Sequence, residues 1–181
     1  GRIEGYGTQA LGAIGLCFPI VMLIGGFTNM FGLGGAPLFS IELGKNDREK
    51  AGDVLNTAFR LEIIAGAALM VLCGLFAPKI LAVFGATADE LYFSVPYIRI
   101  YLSGTIFAMT STGINPYINA QGYSTIGMKS VLVGAISNII LDPIFIFTLG
   151  LGVSGAAIAT VLSQFLSMLF VMKFLLGPKN E

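Results

Sequence analysis

Residues 130–149 read SVLVGAISNIILDPIFIFTL, and Asp142 is the single ionisable side chain among them. A bilayer core about 30 Å thick requires roughly 20 predominantly apolar residues in a spanning helix. The run has that length, and it lacks the apolar/polar alternation of a transmembrane β-strand. The stretch therefore predicts a membrane-spanning helix that carries one carboxyl group.

The composition of the whole chain agrees with this interpretation. Of its 181 residues 55% are hydrophobic and 11% are charged, and the mean hydropathy is +0.85, whereas soluble domains carry about 25% charged residues. The net charge is zero, so no overall field attracts nucleic acid. We expect an all-α, polytopic transmembrane helix bundle: a multi-pass integral protein of the cell (inner or plasma) membrane, with the lipid bilayer as its first partner.

Five spans can be drawn, and no linker separates a second domain in residues 1–181. Small residues at helix-packing spacing indicate that the spans form one bundle. Between them we expect a charged loop with an N-capped turn (42–53), a connection with a short interfacial helix at Lys79–Phe84, a polar turn (120–129) and a glycine hinge (149–155). The spans cover about residues 10–41, 54–76, 93–120, 130–149 and 153–176.

Lysine and arginine placement predicts the orientation, because cytoplasmic loops are enriched in these residues. With the N-terminus outside, the inner side holds six of them, against three on the outer side. The inner set is Lys45, Arg48, Lys50, Lys129, Lys173 and Lys179, and the outer set is Arg2, Lys79 and Arg99.

Asp142 is the most informative polar residue. An ionisable group at bilayer depth is costly, so it usually faces a bundle interior or a wet cavity. Asn138 lies four residues earlier and therefore on the same helix face, and Gly134 extends that stripe. Pro143 cannot donate a backbone hydrogen bond and frees the carbonyl of Ile139. Such an oxygen-rich patch suits a proton or Na⁺; the alternative is that Asp142 only packs against a polar partner.

Other polar residues within the spans are weaker candidates. Thr112, Asn115 and Asn119 follow one another at about one helical turn, beside Pro116, and line a cavity or join helices. Thr160 of the last span offers one further oxygen. Arg60 and Glu62 are interpreted as snorkelling side chains or a local pair.

No enzymatic arrangement is found in the sequence. It contains no histidine, no GxSxG and no Walker-type phosphate loop. Cys17 and Cys73 are interpreted as packing residues. We therefore expect no enzyme, no cofactor, and no metal other than a possible Na⁺ at Asp142.

Several stretches resemble MATE (multidrug and toxic compound extrusion) transporters in sequence and in order. They are ALGAIGLCFPI (10–20), LGKNDREKA (43–51), LAVFGAT (81–87), NAQG (119–122), NIILDPIFIF (138–147) and GVSGAAIATVLSQ (152–164). The most specific is Asn-x-x-x-Asp-Pro, followed after a glycine turn by Gly-Ala-Ala-x-Ala-Thr.

The resemblance implies twelve helices in two six-helix lobes, which expel small organic molecules in exchange for Na⁺ or H⁺. The chain is similar to helices two to six of the N-terminal lobe, so helix one and the second lobe are implied as partners. A cation or proton centre is implied at Asp142, Asn138, Asn115 and Thr160. Thr112 and Asn119 remain candidates for the substrate cavity.

Two alternatives from other classes remain. A lipid-linked saccharide flippase of the same broader fold would be expected to carry cationic residues in its cavity, and none lies deep in a span here. The other alternative is a truncated, non-transporting membrane protein.

Overall fold

A computed structural model describes residues 12–177 of the chain, and no strand occurs in that range. The predicted all-α class is confirmed. The helices are α1 (Phe18–Gly44), α2 (Arg48–Val83), α3 (Ala88–Ser103), α4 (Thr105–Gly113), α5 (Asn115–Ala120), α6 (Ser124–Pro143), a π-helix (Ile144–Thr148) and α7 (Gly152–Leu176).

Four helical segments in the described range are long and apolar enough to cross a membrane. They are Gly12–Gly44, Arg48–Val83, Ser124–Thr148 and Gly152–Leu176. Large apolar side chains cover the outer surfaces of these helices. Examples are Met22, Leu75 and Ile139, whose exposed fractions are 70%, 68% and 71%. Exposed apolar surface on this scale is typical of helices that face lipid.

The first span ends at Gly44 rather than at 41, and its predicted start at residue 10 lies outside the described residues, as do Arg2 and Lys179. The predicted 42–53 loop is shorter than expected, because only Lys45–Asp47 separate α1 from α2. The Asp47 carboxylate accepts a hydrogen bond from the Lys50 backbone N–H at 3.1 Å, which confirms the predicted N-capped turn. That bond, together with the Lys50 ammonium, lowers the pKa of Asp47.

The second span is longer than predicted, and no separate interfacial helix exists at Lys79–Phe84. Residues up to Val83 continue α2 through Pro78 as one helix of 36 residues. At 1.5 Å per residue it is about 54 Å long, well beyond the bilayer core. Proline can be accommodated in a membrane helix because neighbouring groups satisfy the freed carbonyl.

The third predicted span, 93–120, is not one helix but three short ones, α3, α4 and α5. The first break is at Gly104, whose Cα faces Val161 of α7 so closely that a Cβ would lie 2.8 Å from a valine methyl. The second is at Ile114, just before Pro116, which has no N–H to continue the hydrogen-bond ladder. The span count of five is therefore not reproduced helix by helix.

The fourth span begins at Ser124 rather than Ser130, so the predicted polar turn 120–129 contracts to three residues, 121–123. The fifth span, 153–176, matches α7 to within one residue. The glycine hinge between them is confirmed: Gly150 and Gly152 have φ of 65° and 54°, a backbone region that favours glycine. The hinge brings α7 back along α6, and the two helices pack against each other.

Candidate ion-binding site

Three of the predicted site residues meet where α6 faces α7. The Asn138 Nδ2 atom donates to Asp142 Oδ1 at 3.2 Å and to Thr160 Oγ1 at 3.5 Å. The Thr160 hydroxyl itself donates to the Ala156 carbonyl at 2.9 Å, one turn earlier. Thr160 Oγ1 is therefore an acceptor toward Asn138, and the three side chains form one connected polar cluster.

The local backbone explains why these side chains are within reach of one another. Asn138 and Asp142 are one helical turn apart on α6, as their spacing predicted. Directly after Pro143 the helix widens to a π-helix, in which the Leu149 N–H donates to the Ile144 carbonyl at 2.9 Å. π-helical turns are rare and occur frequently at functional sites.

A close backbone contact holds α7 against this widened turn. A Cβ on Gly155 would lie 2.6 Å from the Phe145 carbonyl oxygen, so only glycine fits. Gly155 precedes Thr160 by five residues, and the contact fixes the start of α7 beside the end of α6. This places Thr160 opposite Asn138.

Several acceptor atoms of the cluster have no protein donor. Within the described residues no hydrogen bond reaches Asp142 Oδ2 or Asn138 Oδ1. Asp142, Asn138 and Thr160 are all partly buried. One carboxylate and two neutral oxygens at the edge of a helix pair can hold a proton or a hard monovalent cation.

A cavity of about 250 Å³ continues from the cluster between α4, α6 and α7. It contains the predicted residues Thr112, Gly134, Asn138 and Thr160, whereas Asp142 lies outside its lining. A polar stripe of α7 that lines the cavity was not predicted, although its helical spacing of 160, 163, 164 and 167 is visible in the sequence. The other lining residues are Ser111, Val131, Ala135, Ser163, Gln164 and Ser167.

Asn115 and Asn119 lie in a different place from this cluster. The Asn115 Nδ2 atom donates to the Gly127 carbonyl at 3.1 Å and to the Ser130 hydroxyl at 3.0 Å. The Oδ1 atoms of both asparagines occupy the space that a side chain on Gly127 would need. In this conformation both asparagines of α5 pack against the start of α6, and Asn115 is hydrogen-bonded to it.

The position of Glu62 differs from the one expected from the sequence. It neither snorkels nor pairs with Arg60: its exposed fraction is 0%, while Arg60 is exposed. Neither carboxyl oxygen has a hydrogen-bond partner. The carboxyl group packs against Gly113 at the end of α4, a contact between helices that spacing along α2 cannot reveal.

Comparisons with known proteins agree with this architecture. The profile of the family described as MatE matches residues 2–144. The multidrug export protein MepA of Staphylococcus haemolyticus (strain JCSC1435) is 32% identical over 174 residues, which cover 96% of this chain and 38% of that protein. The chain thus spans about two fifths of the length of this relative.

Solved structures give the same result. A MATE crystal structure in the bent conformation superposes with a TM-score of 0.93 at 30% identity, over 99% of this chain and 40% of that one. An inward-facing multidrug resistance MATE family transporter of the MOP superfamily gives 0.93 at 30% identity, over 98% and 40%. The fold and the sequence similarity extend across all the described helices.

Proposed function

The chain belongs to the MatE family, and on this premise we propose that the full-length protein containing it is a secondary active transporter. It exports small organic or toxic compounds in exchange for Na⁺ or H⁺. The relatives named as multidrug export proteins and multidrug resistance transporters support this proposal. Because the chain covers 40% of the solved transporter, transport requires helices beyond those described.

The observation that carries the proposal is the cluster of Asp142, Asn138 and Thr160. Asp142 supplies the charge, Asn138 orients its carboxylate through the 3.2 Å hydrogen bond, and Thr160 adds a neutral oxygen from the neighbouring helix. A coupling site must gain and lose its ion as its surroundings change. A carboxylate meets that requirement when its partner Asn138 bonds to the neighbouring helix and lines a cavity.

The irregular backbone around the cluster supports the same role. In transporters, substrate and coupling-ion sites lie where membrane helices are interrupted. Here the π-helix follows Asp142 directly, and α3–α5 are interrupted twice. We propose that α3, α4 and α5 together cross the bilayer once, which gives five crossings in part of a six-helix lobe.

The missing partners follow from this arrangement. Alternating access is a rocking of two repeats around a site between them. A further helix and a second lobe are therefore the proposed partners of this chain. The described cavity is lined by polar and apolar neutral side chains without lysine or arginine, which favours an exporter of organic compounds over a saccharide-lipid flippase.

The proposal is tested by Asp142→Asn in the full-length transporter, reconstituted in proteoliposomes. Asparagine keeps the size and hydrogen bonding but removes the charge, so we expect drug efflux driven by an imposed Na⁺ or H⁺ gradient to fall to the empty-liposome background. Membrane insertion stays normal, because a neutral residue inserts more easily. Asp89→Asn, at an exposed position in the first turn of α3, is the matched control.

Asn138→Ala gives a graded comparison in the same assay. It removes one hydrogen-bonding group, which contributes about 1 kcal/mol, so we expect a several-fold loss rather than abolition. Running each variant under a Na⁺ gradient and under a H⁺ gradient identifies the coupling ion. Parental efflux by Asp142→Asn would show that Asp142 is only a packing residue.

A further inference from the structure

A second carboxyl group is buried in this lobe, away from the Asp142 cluster. Glu62 lies in α2, and its exposed fraction is 0%. Both of its carboxyl oxygens are buried, and no N–H or O–H in the described residues donates to either. A buried polar group without a partner is exceptional, so the chemical state of Glu62 needs an explanation.

The neighbour of the carboxyl group is the end of α4. A Cβ on Gly113 would lie 2.5 Å from the Glu62 Cδ atom and 2.9 Å from Oε2. On its other side, Gly113 touches α1, because a Cβ on Gly32 would lie 2.6 Å from the Gly113 carbonyl oxygen. Gly113 therefore leaves the space that the Glu62 carboxyl fills, and Gly32 lets α1 approach the same residue from another helix.

The backbone at this contact has lost its usual donors. The residue three positions after Gly113 is Pro116, which has no N–H, and the Tyr117 N–H donates to the Ile114 carbonyl at 3.1 Å. No backbone N–H in the described range donates to the Gly113 carbonyl across this break. The end of α4 therefore supplies no backbone donor that could stabilise a charged Glu62 carboxylate.

Ionisable groups around Glu62 are few. Among the helices packed against α2, α4 has no ionisable group, and the one in α1 is Glu42 near its C-terminal end. The helix α3 has Asp89 and Glu90 in its first turn, and its Arg99 donates to the Gly74 carbonyl at 3.3 Å. Gly74 is twelve residues from Glu62, or about 18 Å along the helix. The phenol of Tyr117, from α5, donates to the Phe31 carbonyl at 2.7 Å and carries no positive charge.

An ionised carboxylate in this position would lack both a counter-charge and a hydrogen-bond donor, a state that buried groups avoid by taking up a proton. A protonated carboxyl group is neutral, so its burial without a counter-charge costs far less free energy than that of a carboxylate. We propose that Glu62 is a proton-binding site, and that release of its proton separates α2 from the end of α4. In that step the O–H bond breaks, the electron pair stays on the carboxylate, and the proton passes to water.

The contact has a place for that water. A groove of about 420 Å³ lies between α1 and α2. Its lining includes Leu61, which directly precedes Glu62 in the chain, and Tyr117 of α5. Movement of α2 away from Gly113 would extend this groove to the carboxylate. Because Gly113 directly precedes the break at Ile114, the same movement changes the angle between α4 and α5. The site is independent of Asp142 and of whether the protein transports.

Infrared spectroscopy of the full-length protein tests the protonation. At neutral pH the wild-type protein should show a C=O stretching band of a protonated carboxylic acid that shifts in D₂O. The band should be lost in Glu62→Gln and kept in Glu49→Gln, a change at an exposed glutamate of the same helix. Glu62→Met replaces Glu62→Gln in this comparison if the glutamine variant does not fold.

Equal bands in wild type and the Glu62 variant would overturn the proposal. So would a band that keeps its frequency in wild-type protein labelled with ¹³C-glutamate, because the heavier carbon lowers the C=O frequency of a glutamic acid; this measurement requires no substitution.

Amide hydrogen exchange tests the movement. Exchange in residues 105–120 should be equal in wild type and Glu62→Gln at low pH, and faster in wild type when both are compared at high pH. The comparison at one pH removes the intrinsic pH dependence of exchange. Equal rates across the whole pH range, in protein whose infrared band has titrated away, would show that the proton does not control the α2–α4 contact.

Discussion

Replacing Gly113 by alanine is the most direct probe of the contact between α2 and α4. The new Cβ would lie 2.5 Å from the Glu62 Cδ atom, far inside the van der Waals distance. Glu62 has no room to withdraw, because it is fully buried. The backbone of α4 or α2 must therefore shift, and the break at Ile114 is the adjacent point at which the chain can yield.

The magnitude follows from two opposing effects. Overpacking a closely packed site costs about 1–3 kcal/mol, whereas glycine to alanine in a helix gains up to about 1 kcal/mol. Gly74→Ala in α2 isolates the second effect, because nothing lies within 4 Å of its Cβ position. We expect Gly113→Ala to be less stable than Gly74→Ala by about 1–3 kcal/mol.

The assay is unfolding of the full-length protein in mixed micelles, with a double-mutant cycle. Glu62→Ala removes the group that the new methyl meets, so the double variant Glu62→Ala/Gly113→Ala should be more stable than the sum of the single effects predicts. Equal stability of Gly113→Ala and Gly74→Ala would show that the Glu62 carboxyl does not pack closely against Gly113. Strict additivity in the cycle would show the same, because the alanine methyl at 113 and the Glu62 side chain would then not interact.

Two further predictions concern the ends of the helices. In a background without the native cysteines, an impermeant maleimide should label Asp89→Cys but not Glu49→Cys in intact cells, as the predicted orientation requires; labelling of both contradicts it. The backbone N–H of Lys50 lowers the pKa of Asp47 in the folded protein. The Asp47 carboxylate therefore stabilises the fold at any pH above the pKa that Asp47 has in the unfolded chain. This stabilisation is lost as the pH falls through the lower pKa of the folded state. Acidification should therefore speed amide exchange in the first turn of α2 more in the wild-type protein than in Asp47→Asn, because asparagine caps the helix without titrating. An equal response of both proteins would contradict this expectation.

The sequence alone determined the features that depend on one helix. The length of apolar runs predicted the membrane helices, and α7 lies within one residue of its predicted bounds. The four-residue spacing of Asn138 and Asp142 predicted their shared face, and the structure joins them by a hydrogen bond. Such features follow from the rise and period of a helix, which are the same whatever surrounds it.

The tertiary structure decided which helices break and which polar groups meet. Gly104 and Ile114 interrupt the third span because α7 and Pro116 act on them there, while Pro78 leaves α2 continuous. Asn115 bonds to the start of α6 instead of to Asp142, and Glu62 turns inward against Gly113. These outcomes depend on contacts between residues distant in sequence, and the periodicity of a single helix carries no information about its neighbours.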